Sequence, residues 1–108
     1  MARGKNAYST EFNQTNVPAG TATTVICTVP SATQAAYAVL HTITINTKGA
    51  TANTLTVYDN TSAAGTKIAT IDTTSQVQTL VYDCICTTGI TCVSATGTGA
   101  DYTVTWSM

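Results

Sequence analysis

The chain has 108 residues with four Lys or Arg, five Asp or Glu and a formal net charge of −1. This length suits one domain with its own hydrophobic core. Arg3 and Lys5 lie at the N-terminus, so the rest of the sequence lacks the basic cluster that neutralises nucleic-acid phosphates. No segment has the roughly 20 apolar residues that a membrane-spanning helix needs. The composition therefore argues against a nucleic-acid partner and against a membrane partner.

The scarcity of charge also bears on the surface of the folded protein. A soluble monomer normally has many charged surface residues and a net charge well away from zero. About a quarter of the residues here are Thr, so either hydroxyl groups solvate the surface or neighbouring subunits cover much of it. We favour the second interpretation, which predicts a homo-oligomer or a component of a larger assembly.

The first 20 residues are polar and aperiodic, and they end in a turn-forming segment, Val17 to Gly20. We predict an extended N-terminal arm over residues 1–20 that binds a partner, so deleting residues 2–17 is expected to keep the fold and abolish that binding. No apolar stretch follows the N-terminal charges, so we expect no secretory signal. We therefore expect that the protein is synthesised in a cytoplasm. The candidate contact residues of the arm are Arg3, Lys5, Tyr8 and Phe12.

From residue 21 onward, apolar and polar residues alternate with a period of two, which is typical of strands. Short strands at regular spacing, with turn-forming residues between them, predict an all-β fold. We expect a single antiparallel β-sandwich over residues 21–108, jelly-roll-like, with about seven strands. Helix is limited to one turn at Thr33–Ala36. The expected strands are 23–29, 37–46, 55–57, 67–72, 77–82, 90–95 and 102–108.

Candidate catalytic residues are sparse. His41 is the only histidine, and its position between apolar residues favours a hydrogen-bonded core or interface histidine over a catalytic one. The sequence has neither a nucleophile motif nor a phosphate-binding loop. The aspartates near strand ends favour turn capping over glycoside hydrolysis or calcium binding. We therefore expect a protein that is not an enzyme and has no cofactor or metal.

Four cysteines, Cys27, Cys84, Cys86 and Cys92, leave three interpretations open. They form disulfides, remain free as buried thiols, or bind zinc through three thiolates and His41. Zinc is the least favoured, because the usual two pairs of ligands are absent. If a hairpin turn spans residues 87–90, Cys92 lies opposite Cys84 or Cys86, and the remaining one is free to reach Cys27 or a neighbouring subunit.

Two segments resemble small phage-encoded β-sandwich proteins of virions. Residues 53–74 read NTLTVYDNTSAAGTKIATIDTT, and residues 89–106 read GITCVSATGTGADYTVTW. The shared features are a Gly-apolar-Thr strand, a Gly-Thr-Gly-Ala-Asp turn and a last alternating strand. The resemblance starts at residue 53. The cysteines at 84, 86 and 92 and the N-terminal arm are not part of it.

This resemblance implies a non-enzymatic structural protein located in the virion. The expected function is that of a capsid cement or decoration protein, which binds and stabilises neighbouring capsid subunits. Its partners would be other virion proteins, either the major capsid protein or tail subunits. The alternatives are a tail or head-fibre component, or a β-sandwich module that binds a carbohydrate or a host surface.

Overall fold

A computed structural model describes residues 12–30 and 37–108. These ranges form eight β-strands and no helix, so the all-β prediction is confirmed, with one strand more than expected. Within them, no helix has the length and apolar character needed to cross a membrane. The strands are β1 (Asn13–Val17), β2 (Thr23–Thr28), β3 (Ala38–Thr47), β4 (Thr54–Asp59), β5 (Thr66–Asp72), β6 (Gln78–Cys86), β7 (Gly89–Ala95) and β8 (Asp101–Ser107).

The additional strand, β1, lies inside the segment that the sequence predicts as an arm. It pairs with β8 in antiparallel register, with Val17 opposite Tyr102, and the Val17 side chain is buried. Any free arm is therefore shorter than 20 residues. The predicted contact residues Arg3, Lys5 and Tyr8 lie outside the described residues, as does the predicted helical turn at residues 33–36.

The strands form two four-stranded sheets. Sheet A has the order β1-β8-β3-β6, and sheet B has the order β2-β7-β4-β5. The first strand pairs with the last, the second with the seventh, the third with the sixth and the fourth with the fifth, all antiparallel. The chain is thus one long antiparallel ribbon whose successive strand pairs alternate between the two sheets. This arrangement leaves β1 and β6 at the edges of sheet A, and β2 and β5 at the edges of sheet B.

The hydrophobic core lies between the two sheets. Alternation along β4 and β8 points the apolar residues inward and the threonines outward, as the sequence predicts. Each fully buried aliphatic side chain stabilises the fold by about 1.5–3 kcal/mol relative to its exposed state. The largest fully buried apolar side chains are Tyr102, Leu40, Ile43, Ile45, Leu55, Ile90, Val17, Val57 and Val104.

A bulge in the middle of β3 changes which residues share a face. Simple alternation predicts that His41 lies on the same face as Ile43 and Ile45, and this prediction is wrong. Leu40 and Ile43 are both fully buried, and the register of β3 shifts between Leu40 and Thr42 against both of its neighbours. A bulge adds a residue to one strand and reverses the facing pattern beyond it. His41 therefore lies on the outer face of sheet A.

Candidate interaction surface

The bulge brings three side chains together on the outer face of sheet A. His41 Nδ1 lies 2.5 Å from a carboxylate oxygen of Asp83 on β6. The rings of His41 and Phe12 stack with their centroids 4.1 Å apart and their planes inclined by 8°. The side chains of His41 and Asp83 are 31% and 59% exposed, and a polar contact this accessible adds little stability. The contacts therefore set the orientation of these side chains more than the stability of the fold.

The backbone at Asp83 supports this cluster. Its φ angle is 47°, in the left-handed region that residues other than glycine seldom occupy. In the β3–β6 register, two residues of β6, Tyr82 and Asp83, lie opposite the single residue His41 of β3, so β6 has one additional residue here. Alternation along β6 puts Asp83 on the outer face with Val81 and Ile85, where its carboxylate contacts the histidine. Hydrophobic periodicity carries no signal for this contact, because it depends on the bulges of two paired strands.

A network of uncharged donors covers the same face toward β1. The Asp101 carboxylate accepts hydrogen bonds from the side-chain amides of Asn16 and Asn46, each at 2.9 Å. Both amides also donate to the Thr103 hydroxyl, at 3.3 and 3.0 Å. Hydrogen bonds from Asn46 and Asn16 lower the pKa of Asp101. The network connects β1, β8 and β3 without any basic side chain.

Threonine pairs continue the outer face of sheet A toward β6. The hydroxyl oxygens of Thr42 and Thr105 lie 2.6 Å apart, and those of Thr44 and Thr79 lie 3.0 Å apart. Such cross-strand hydroxyl pairs add a few tenths of a kcal/mol each, up to about 1 kcal/mol. The high threonine content thus serves strand pairing in addition to hydration.

An apolar surface follows β6. Val81 and Ile85 are 64% and 62% exposed, and Val39 on β3 lies opposite Ile85 and is half-buried. We call Val39, Val81 and Ile85 the β6 stripe. Val77, directly before β6, is also exposed. A single exposed apolar residue is ordinary, but aligned ones mark interaction sites.

The β6 stripe borders an unpaired strand edge. β6 has nine residues, Gln78–Cys86, and among the described residues only β3 pairs with it. Native proteins usually protect such an edge with Lys, Pro, a bulge or a covering segment. β6 contains neither Lys nor Pro, and its only such features are the bulge at Tyr82 and Asp83 and the charge of Asp83. The outer face of sheet A thus combines exposed apolar side chains with a strand edge that no other described strand pairs.

The four cysteines, candidates for disulfides in the sequence, are all free in the structure. Burial raises the pKa of Cys86 to about 12, and the adjacent Cys84 thiol adds to the effect. Burial also raises the pKa of Cys92 to about 12 and raises that of Cys27. A buried thiol that resists ionisation is a poor nucleophile. The structure therefore corresponds to the free-thiol interpretation, and disulfides remain a prediction for an oxidised chain.

A zinc site made of the cysteines and His41 does not fit this geometry. Cys27, Cys86 and Cys92 belong to the core between the sheets, whereas His41 lies on the outer face of sheet A. Among residues 12–30 and 37–108, no group of three or more His, Cys, Asp or Glu side chains is placed to hold a metal ion.

Asp59 has a structural role that the sequence only partly indicates. Its carboxylate accepts hydrogen bonds from the backbone N–H groups of Thr87, Thr88 and Gly89, at 3.0, 2.9 and 3.3 Å. Partial burial acts to raise the pKa of Asp59, but these backbone hydrogen bonds outweigh it and lower the pKa. The side chain at the end of β4 thus holds the turn through which the chain passes from β6 in sheet A to β7 in sheet B.

Comparisons with known proteins add no family assignment. No family model, curated protein or solved structure matches this chain. In the structure, residues 53–74 contain the β4–β5 hairpin, and residues 89–106 contain β7 and most of β8. The resemblance of these segments to phage virion proteins stays an expectation from the sequence, and the surface of sheet A carries the functional interpretation.

Proposed function

We propose that this chain is a non-enzymatic structural protein of a phage virion, a cement or decoration protein that binds and stabilises neighbouring capsid subunits. The observation that carries the proposal is the β6 stripe next to an unpaired strand edge. Left in water, this combination is an aggregation hazard. In an assembled particle, adjacent subunits cover it.

The strand order supports this proposal through a finer fold assignment. We interpret the sandwich as a jelly roll, because an antiparallel ribbon pairing the first strand with the eighth and the fourth with the fifth is wound into two four-stranded sheets. Eight-stranded jelly rolls occur in viral capsid and lectin domains. Because one fold supports many functions, the proposed function also depends on the residues at the surface.

The surface favours binding to protein. A partner strand added to β6 would satisfy the free N–H and C=O groups, while apolar side chains would cover Val81 and Ile85. Sheet A has no Lys or Arg in any of its four strands. Covering this face therefore avoids the large cost of desolvating unpaired cations.

The test is co-sedimentation with particles. Particles of the phage that encodes the chain are separated on a density gradient, and the fractions are probed with an antibody against the purified chain. We expect the chain in the capsid band. Recovery only from the soluble fractions would contradict the proposal, and recovery with tails but not with tail-free heads would favour the alternative of a tail component.

The deletion suggested by the sequence needs a corrected boundary. Removing residues 2–17 would also remove β1, which pairs with β8 through five residues. Removing residues 2–11 instead leaves all eight described strands in place. With this variant we expect an unchanged circular dichroism spectrum and loss of particle binding. Retained particle binding would count against an arm that contacts a neighbouring subunit of the particle.

A carbohydrate-binding function is the second candidate. The supporting observation is the cluster of Asn16, Asn46 and Asp101 on the same face as the exposed Phe12 ring. Side-chain amides, carboxylates and aromatic rings are the groups that proteins use to bind sugars. A glycan array probed with the folded chain tests this candidate, and an absence of signal would argue strongly against it.

A further inference from the structure

We propose that the β6 stripe and the free edge of β6 bind residues 1–11 of a second copy of this chain. The inference rests on the proposed function, since it names one partner of the surface that the virion proposal uses. It concerns association of the purified chain alone, however, so its failure is distinguishable from a failure of particle binding.

Charge complementarity points to this segment. The four strands of sheet A contain Asp83 and Asp101 but no Lys or Arg. Residues 1–11 contain Arg3 and Lys5, two of the four basic residues of the whole chain, and one acidic residue, Glu11. Asp83 lies on β6 between Val81 and Ile85, so basic side chains on a strand paired with β6 would meet a carboxylate within the β6 stripe.

The length of the segment favours a second copy over the same copy. The 11 residues before Phe12 slightly exceed the nine residues of β6. β1, from which they lead, is at the opposite edge of sheet A, three strand spacings or about 14 Å away. Crossing that distance takes at least about four extended residues, which leaves too few to pair along the whole strand. A segment from a neighbour needs no such crossing.

Pairing between the β6 strands of two copies is less favourable. Consider an antiparallel pair of two β6 strands in which Val81 of one copy lies opposite Ile85 of the other. Residue 83 is halfway between these positions, so it lies opposite residue 83 of the other copy. Asp83 would then face Asp83 of the partner copy, and like charges directly opposite each other are destabilising. Residues 1–11 would avoid this clash, and because they contain no Pro, each residue after the first has a backbone N–H that a strand ladder needs.

Photo-crosslinking of the full chain tests the proposal. Tyr8 is replaced by p-benzoylphenylalanine, and this unlabelled chain is mixed with ¹⁵N-labelled wild-type chain, irradiated and digested for mass spectrometry. We expect crosslinks from unlabelled residue 8 to ¹⁵N-labelled peptides that contain β6. Crosslinks confined to unlabelled β6 peptides would show binding within one copy and overturn the proposal, as would crosslinks to strands other than β6 or their complete absence.

Two variants decide whether the β6 stripe is responsible. Ile85→Lys in the acceptor chain replaces an apolar contact with a cation, and we expect at least a tenfold lower crosslink yield. Val25→Lys, on the exposed edge strand β2 of sheet B, is the matched control and should leave the yield unchanged. A yield that is equal in both variants would overturn the proposal. The double variant Arg3→Glu and Lys5→Glu reverses the two basic charges of the segment. Both residues lie outside all described strands, so the variant should lower the crosslink yield without disturbing the sandwich.

Discussion

β5 and β6 are both edge strands, one in each sheet, but they present different surfaces to solvent. The exposed residues of β5 are Thr66, Lys67, Thr70 and Asp72. Those of β6 are Thr79, Val81, Asp83 and Ile85. A lysine on an edge strand discourages pairing with another chain, and β5 has one whereas β6 has none. This difference supports the proposal that β6 is used for binding and β5 is not.

The two edges are also anchored differently. β5 leads into Thr73, a buried residue that donates a hydrogen bond to the side-chain oxygen of the buried Asn53 at 2.5 Å. β6 leads into the turn that the Asp59 carboxylate holds by three backbone hydrogen bonds. The β5 anchor is buried and neutral, whereas the β6 anchor is partly solvated and charged. The contribution of the Asp59 anchor should therefore depend on pH, whereas the contribution of the uncharged Asn53–Thr73 anchor should not.

The largest effect is expected at the β5 anchor. The Asn53 amide donates to the Ser94 hydroxyl and to the carbonyls of Ala95 and Thr96, at 2.8–3.0 Å. Asn53→Ala removes these three hydrogen bonds and the one from Thr73 to the Asn53 side chain, so that the Thr73 hydroxyl keeps only the backbone carbonyl of residue 53, at 3.2 Å. It should lower the free energy of unfolding by about 2–4 kcal/mol. Asn60→Ala is the control, since Asn60 is half-exposed. Urea denaturation measures both, and equal losses would contradict the assignment of Asn53 as a buried anchor.

The next effect concerns the β6 anchor. Asp59→Asn keeps the size of the side chain but removes its charge, and it should cost about 1–2 kcal/mol at neutral pH, at the low end for charged hydrogen bonds because the group is partly solvated. The pKa of Asp59 is lowered in the folded chain. Its contribution is therefore present above the unfolded-state value of about 3.9 and is lost as the pH falls below it.

Urea denaturation between pH 7 and pH 2.5 checks this dependence. The difference in stability between wild type and Asp59→Asn should shrink as the pH falls, because the wild-type carboxylate becomes protonated. A difference that stays constant down to pH 2.5 would show that the charge of Asp59 does not matter. Asp72→Asn is a useful comparison, since the hydrogen bonds of the Asp72 carboxylate to described residues all lie within its own turn, to Thr74 and Ser75.

A third variant removes the difference between the edges. Ile85→Lys makes β6 resemble β5, and it should weaken self-association at least tenfold, or by about 1.4 kcal/mol, because one of the three apolar contacts of the β6 stripe is lost. Thr70→Lys on β5 should have no such effect. Light scattering over a dilution series measures both variants. Weaker association in both, or in neither, would remove the distinction between β5 and β6.

The smallest effect tests whether Lys67 protects β5 or stabilises it. The Lys67 side chain is exposed, so Lys67→Val should change the free energy of unfolding by no more than about 0.5 kcal/mol. Thermal denaturation provides this measurement. A loss well above that limit would mean that the lysine contributes to the stability of the edge and does not only prevent pairing.

Strand periodicity predicts most of the fold, because it reports which residues a sheet can bury. β4 and β8 are clear examples, with Leu55, Val57, Tyr102 and Val104 all buried as alternation requires. β1 was missed because its residues are almost all polar, and pairing with β8 determines its conformation. The bulge at His41 was missed because simple alternation ignores an inserted residue.

The candidate surface was less predictable than the fold. Val81 and Ile85 read as ordinary strand residues, and only the strand order shows that β6 lies at an edge with these side chains pointing to solvent. The scarcity of charge predicts that a partner covers part of the surface, and this stays a prediction. Composition cannot say which part, because position in a sheet depends on pairing between distant segments.

Amide hydrogen exchange of the full chain at low and high protein concentration tests most directly whether β6 is a binding edge. Peptides covering β6 and β5 are compared in the same samples by mass spectrometry. The prediction is that the amides of β6 exchange more slowly as the concentration rises, whereas those of β5 are unaffected. Exchange rates that do not change with concentration in either strand would contradict the claim that a second copy of this chain binds β6.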